Sequence, residues 1–221
     1  MILGINTAES VHEMVLLNEQ EILSQKKWQD NRNDVENLVP FLEQMLGELE
    51  LNKHDIKQIV VVRGPGSFTS LRTGIAFANA LAEGLNSELY TMDTFELLRR
   101  KVAIKDPLIT LLHAGGMDAG MFFDGEIKVG PLAILLAKIP HDHSINLAYI
   151  LPETLHDELT SIVHEKEWTL IPSEKFQTLG EALLTEGLNG LQKVQIVEPL
   201  YLKTPNITLS TDPWKKPGVY T

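Results

Sequence analysis

The chain has 221 residues and no cysteine, and its 19 lysines and arginines face 30 aspartates and glutamates, a formal net charge of −11. That composition excludes disulfides, thiolate nucleophiles and Cys-ligated metals. It also counts against tight, direct nucleic-acid binding, which draws most of its affinity from basic side chains on phosphate, and makes a basic protein the fitting partner. Hydrophobic content is an ordinary 43%. No apolar run approaches the ~18 residues that span a bilayer, and the opening residues lack a basic leader with a cleavage site. A soluble cytoplasmic protein, with no membrane contact, is expected.

Taken in order, residues 1–6 read as a strand, Met14 to Leu17 as a second and Ile22 to Lys27 as a third, with Asn18 to Glu21 turning between the last two. Asn31-Arg32-Asn33-Asp34 is a loop ending in a helix cap. From Val35 the apolar positions Leu38, Val39, Phe41, Leu42, Met45, Leu46 and Leu49 fall within an arc of about 160° on one helix, wider than the ~100° of an ordinary surface helix. Pro40 is expected to bend it.

Ile59-Val60-Val61-Val62 is an apolar β-branched run, the pattern of a strand buried on both faces. Gly64-Pro65-Gly66 stops it, and Ser67, Thr69 and Ser70 are candidate caps for the helix that follows. On that helix Leu71, Ile75, Ala78, Leu81, Ala82 and Leu85 share one face, while Thr73, Ala76, Phe77, Ala80 and Gly84 make the opposite face nearly as apolar. Arg72, Asn79 and Glu83 are its polar stripe. A helix apolar on two sides is covered on two sides. One cover is its own sheet; the other is a neighbouring helix of the same chain or a second chain.

Ser87 to Tyr90 is a short strand and Thr94 to Val102 a short helix. The order of three strands, helix, strand, helix, strand, helix implies a mixed sheet with a meander and parallel crossovers. Lys101 to Pro107 is the expected junction between a first domain, 1–104, and a smaller second one, 105–221. The second restarts with a strand from Leu108 to Leu112 and a hairpin around Asp124-Gly125-Glu126 within Ala119 to Val129. Strands at Asn146 to Leu151 and Trp168 to Ile171 follow, separated by a helix from Thr154 to His164, and a final amphipathic helix runs from Glu174 to Leu188. Residues 203–221, with Pro205, Pro213 and Pro217, lack periodicity and read as a tail.

Arg63-Gly64-Pro65-Gly66-Ser67-Phe68-Thr69 with Leu71-Arg72-Thr73-Gly74 resembles the signature of the bacterial TsaB (YeaZ) family. Glu198-Pro199-Leu200-Tyr201-Leu202-Lys203, Trp214-Lys215-Lys216-Pro217-Gly218 and the opening Ile2 to Ala8 add to it. The resemblance is dense over 1 to about 100, thin in the middle and clear again after about 175. It implies an α/β fold of two ribonuclease-H-like domains with mixed sheets, as in actin-like ATPases and sugar kinases (the ASKHA fold). It implies a non-catalytic subunit of the tRNA threonylcarbamoyladenosine (t6A) machinery. Such a subunit binds the TsaD transferase, supports the joining of the TsaE ATPase, and forms a homodimer in isolation through a similar surface. tRNA is met only indirectly, and ATP and metal belong to the partner subunits. The expected interface residues are Val35, Leu38, Val39, Phe41, Leu42 and Met45 on the first helix and Thr73, Ala76, Phe77, Ala80 and Gly84 on the second.

Two departures bear on chemistry. Asn6 stands where actin-like ATPases carry a metal- and phosphate-supporting aspartate, and an amide holds a hard cation poorly. Asp93 and Leu97 align with a metal-binding histidine pair of TsaD, and a leucine cannot ligate. His113 replaces an aspartate of the relatives, and His141-Asp142-His143, the one histidine cluster, lacks an obvious third zinc ligand. No catalytic or metal residue is assigned. Gly64, Pro65, Gly66, Ser67, Phe68 and Thr69 form either a phosphate-contacting loop or a tight turn that brings strand and helix together; they lack the lysine of a true P-loop. The competing function is an independent small-molecule kinase or hydrolase of the same fold, including a peptidase. Against the peptidase stand the missing Gly-x-Ser-x-Gly elbow and His-Glu-x-x-His helix.

Overall fold

A computed structural model describes residues 1–29, 34–104, 107–140 and 145–203. Strands β1 (Ile2–Asn6), β2 (Val11–Leu17) and β3 (Ile22–Gln29) form the meander; α1 (Asp34–Glu48), β4 (Gln58–Val62), α2 (Phe68–Leu85), β5 (Glu88–Met92) and α3 (Thr94–Val102) complete the first unit. The series then repeats as β6 (Leu108–His113), β7 (Asp118–Phe123), β8 (Glu126–Pro131), α4 (Leu132–Ala137), β9 (Asn146–Ile150), α5 (His156–Glu165), β10 (Thr169–Leu170) and α6 (Leu179–Glu186). A last strand, β11 (Gln192–Val194), pairs antiparallel with β5.

The two sheets share one plan. The first runs β11-β5-β4-β1-β2-β3 and the second β10-β9-β6-β7-β8. In each, the unit's own strands lie in the order fifth, fourth, first, second, third, with the first, fourth and fifth parallel. This is the duplicated α/β architecture expected of the ASKHA fold.

Strand β6 shows how alternation serves two layers. Ile109 and Leu111 point into a core with Leu132, Leu135 and Leu136 of α4 and Leu159 of α5. Leu108 and Leu112 point to the other face, where they meet Phe95, Leu98 and Val102 of α3. So α3, the last helix of the first unit, covers the second sheet. In return α6, the last helix of the second unit, sends Leu179 and Leu183 into the first core, where they pack over Gly4 beside Val15. The units exchange their final helices across the cleft between them.

The sequence-predicted elements recur with shifted ends, β2 beginning at Val11 instead of Met14 among them, and with larger differences in the second unit. The expected helix 174–188 is a 3-10 turn at Ser173–Lys175 followed by α6. Its true start is set by a capping box, in which Thr178 Oγ1 accepts from Glu181 N and the Glu181 carboxylate accepts from Thr178 N. Helix α5 begins only at His156, after a 3-10 turn. Helix α4 and strand β11 were not expected. Leu-Ala-Ile-Leu-Leu-Ala has no polar face from which a period can be read, and β11 takes its place from its partner strand. Helix α1 continues through Pro40. The Asn31–Asn33 loop, the side chain of Val35, Lys105-Asp106, the His141-Asp142-His143 cluster and the tail from 204 onward lie outside the described residues. No helix among the described residues is long and apolar enough to cross a membrane.

Candidate functional site

The turn after β4 is packed against its own chain from several sides. Thr94 N donates to Gly64 O (2.8 Å), Thr94 Oγ1 to Pro65 O (2.7 Å), and Ser67 N to Ala8 O (3.1 Å). Leu200 N donates to Arg63 O (2.7 Å) from the C-terminal segment. A Cβ on Gly66 would overlap the Ala8 carbonyl and lie 2.7 Å from Ala8 Cα; one on Gly74 would overlap the Thr7 hydroxyl. These glycines let the end of β1 and the start of α2 approach closely, which favours the tight-turn reading of the loop. Ser67 holds the N-cap position, but its side chain makes no cap hydrogen bond, and Thr69 lies inside the first turn. Both are corrections to the expected capping.

Gly66→Ala is expected to lower stability by about 3 kcal/mol, the upper end of the cost of overpacking a filled site, because backbone rather than a movable side chain is struck. A Cβ on Gly84 meets nothing within 4 Å, so Gly84→Ala should leave the monomer as stable or raise it by up to about 1 kcal/mol. Thermal melts of the two variants check the contrast.

The cleft between the units holds a buried charge cluster. Lys101 Nζ on α3 lies 2.7 Å from Glu9 Oε2 and 2.7 Å from Glu13 Oε1, with all three side chains at most 10% exposed. Asn6 Nδ2 donates to Glu9 Oε2, and Asn6 Oδ1 accepts from Ala8 N (3.0 Å). Glu13 Oε2 accepts from Gln25 Nε2 (3.0 Å) and from Leu179 N at the start of α6 (3.1 Å). Burial pulls the Lys101 pKa down, but Glu9 and Glu13 outweigh it and the net shift is upward. The cluster borders a cavity of about 500 Å³, which Lys27, Tyr149, His156 and Gln177 also line. A second cavity of about 310 Å³ lies between Ser10, Gly66, Ser67 and His113. His113 is exposed, with Nε2 3.1 Å from Gly116 O. Asp93 is the N-cap of α3, accepting from Glu96 N (2.9 Å), and burial raises its pKa. Leu97 is fully buried in the first core. Among the described residues no three His, Cys, Asp or Glu side chains converge as a metal site.

The two expected interface helices part company. Leu38, Leu42 and Met45 of α1 are buried in the first core, so their side chains point inward in the single chain; the wide apolar arc of α1 meets β2, β3 and α2. Phe41 is half-buried and packs edge-on against Trp28, with ring centroids 5.2 Å apart. Val39 is exposed. On α2, Leu71, Gly74, Ile75, Ala78 and Ala82 face the core, as the periodicity requires. Leu81 and Leu85 are half-buried at its margin. Ala76, Ala80 and Gly84 are exposed, flanked by half-buried Thr73 and Phe77. The second apolar face of α2 is therefore bare at Ala76, Ala80 and Gly84, while Phe77 packs partly against the first core.

Sequence reasoning missed what borders that face. Asn79, read as part of a polar stripe, clamps the C-terminal segment: its Nδ2 donates to Val197 O (3.0 Å) and its Oδ1 accepts from Val197 N (2.9 Å). Phe68 stacks on Tyr201 with centroids 5.2 Å apart, and the Arg72 guanidinium lies 4.8 Å from the Phe68 centroid. The Glu-Pro-Leu-Tyr string near the end was legible as a motif; its site on α2 was not, because no local pattern ties residue 79 to residue 197. The Glu9–Lys101–Glu13 cluster was equally hidden.

Comparison with known proteins gives one family. The model of TsaD, tRNA N6-adenosine threonylcarbamoyltransferase, matches residues 19–205. The tRNA threonylcarbamoyladenosine biosynthesis protein TsaB of Bacillus subtilis is 28% identical over 150 residues, 66% of this chain and 62% of that protein. The chain thus matches less than two thirds of that relative's length. Among solved structures, a Pseudomonas aeruginosa protein with similarity to peptidase YeaZ superposes with a TM-score of 0.66 at 17% identity, covering 91% of this chain and 99% of that one. A proposed N-acetylglucosamine kinase of Porphyromonas gingivalis shares the fold at a TM-score of 0.50 and 11% identity, over 86% of this chain and 99% of that one.

Proposed function

The chain belongs to the TsaB (YeaZ) family of tRNA threonylcarbamoyladenosine biosynthesis proteins, within the reach of the TsaD family model, and from that premise we propose that it is a non-catalytic partner subunit of the t6A complex. It binds the TsaD transferase through the outward face of α2, made of Thr73, Ala76, Phe77, Ala80 and Gly84, with Val39 and Phe41 of α1 alongside. The observation that carries this reading is that bare face. Small residues at four-residue spacing let another helix come close, and Phe77 offers an aromatic anchor. Without TsaD the same face pairs two copies, and TsaE joins the larger complex. The two sheets are read as two domains divided near residue 104, with α6 and β11 returning to the first. ATP and metal are handled by the partners, and tRNA is met through them, in keeping with the formal net charge of −11.

The test is co-purification with TsaD from the same organism, followed by t6A formation assays with each subunit omitted in turn. A heterodimer, and activity that needs both chains, is the expected result. The competing reading, an independent kinase or hydrolase, rests on the cavity of about 500 Å³. Turnover of ATP by this chain in material free of TsaD would support it, and either that turnover or t6A formation without TsaD would end the non-catalytic subunit reading.

A further inference from the structure

The Glu9–Glu13 pair presents two buried carboxylates to one point, and their remaining contacts fix them there. The Gln25 side-chain amide and the backbone N–H of Leu179 hold the far oxygen of Glu13, and the Asn6 amide donates to Glu9 Oε2, the oxygen that also faces Lys101. Such an arrangement needs a cation, because two buried, unpaired carboxylates cost several kcal/mol each. Oxygen pairs of this kind, beside a cavity, suit a hard divalent ion that completes its shell with water or phosphate. Here the position is filled from within: Lys101 Nζ sits 2.7 Å from each carboxylate.

We infer that Lys101 is a built-in counter-cation that occupies the cation position of the inter-unit cleft and closes it to divalent metal. The ammonium is covalently attached to α3, so it is present at all times and cannot be exchanged for an ion from solution. A metal would have to expel it into the cavity while the lysine remained largely buried. The amide at Asn6 fits the same account. It donates to Glu9 and adds no negative charge to a pair of carboxylates whose one buried lysine is Lys101, the half-exposed Lys27 lying 3.9 Å from Glu13 Oε2 at the edge of the cluster. The cleft thereby becomes a structural joint in which one cluster ties the turn after β1, strand β2, α3 and the start of α6.

The experiment uses the full chain without partners, so it stands or falls apart from the assignment of TsaD. Thermal melts are recorded in chelator and in millimolar Mn²⁺ for the wild type, Lys101→Met, and Lys101→Met combined with Glu9→Gln. The wild type should melt at the same temperature in both buffers. Lys101→Met should melt about 10 °C lower in chelator, a fall typical of breaking a buried ion pair in a chain of this size, and regain about half of it in Mn²⁺. The double variant should lose the Mn²⁺ response. If Lys101→Met does not fold in chelator, refolding with and without Mn²⁺ separates the same two outcomes, with the double variant as the folding control. Stabilisation of the wild type by Mn²⁺, or a Lys101→Met chain indifferent to it, overturns the inference.

Discussion

Ala80→Glu is expected to abolish pairing with TsaD, and self-association, while the monomer stays folded. Ala80 is exposed in the isolated chain, so a glutamate there points into water and disturbs nothing. In the proposed contact it would face another helix across Ala76, Phe77 and Gly84. An unpaired charge in such a seam costs about 3–5 kcal/mol, which weakens binding by roughly 100- to 4,000-fold. Ala78→Glu is the control for the opposite face, because Ala78 is fully buried against the sheet whereas Leu81 is only half-buried. Ala78→Glu should unfold the chain. Light scattering with and without TsaD, and melts of both variants, separate the two faces of α2. Should Ala80→Glu melt as low as Ala78→Glu, the outward face belongs to the chain's own core and the interface is misassigned.

Arg100→Met is expected to be among the most destabilising single changes away from the cores. The side chain of Arg100 is 1% exposed, yet every polar group it meets lies on a different turn or element. Its Nε donates to Glu96 Oε1 (2.7 Å), and its two terminal nitrogens donate to the carbonyls of Gly187 (3.1 Å) and Asn189. Glu186 lies 3.7 Å from Nε. Removing the guanidinium strands these acceptors, at a cost of about 3–5 kcal/mol and a fall in melting temperature of about 10 °C. Arg100→Lys should recover only part, since one ammonium cannot reproduce the fork. Limited proteolysis should cut the variant near 186–190. The same contacts give a pH signature. Burial raises the Glu96 pKa, but Arg99 and Arg100 together bring it below its ordinary value. Glu96 therefore stabilises the fold near neutral pH, and that contribution is lost as the pH falls through its lowered pKa. Arg100→Met should flatten this acid-side loss.

Much of the fold was legible because it is written locally. Ile59–Val62 and Leu108–Leu112 announce buried strands by β-branched and apolar runs, and the 3.6-residue period of α2 sorted most of its core face correctly. Helix α3 was bounded to the residue, since Asp93 caps one end and Ala103 leaves the helical region at the other. Most of what failed depends on a distant partner. The breadth of the apolar arc on α1 could not say whether Leu38, Leu42 and Met45 meet a second chain or the first sheet, because both surfaces are apolar. The last helix was drawn too long because amphipathic periodicity extends past a capping box without registering it. In the candidate site, the outward residues of α2 were found from pattern alone. The cluster of Glu9, Glu13 and Lys101 joins residues about 90 apart in the chain, and no local pattern ties them together.

The return of β11 to the first sheet sets an order on biosynthesis. A ribosome that has released residues 1–104 has made every strand of the first sheet but one, yet α3 still presents Phe95, Leu98 and Val102 to water and Val15 waits for the leucines of α6. Only when Gln192–Val194 emerge can the edge of β5 be paired, and only with Val197 does Asn79 find its partner. The first half to be translated is therefore the last to be finished, and the second unit folds as an insertion between the two ends of the first. Nascent chains shorter than about 200 residues carry an open strand edge and uncovered apolar faces, the features that recruit chaperones during synthesis.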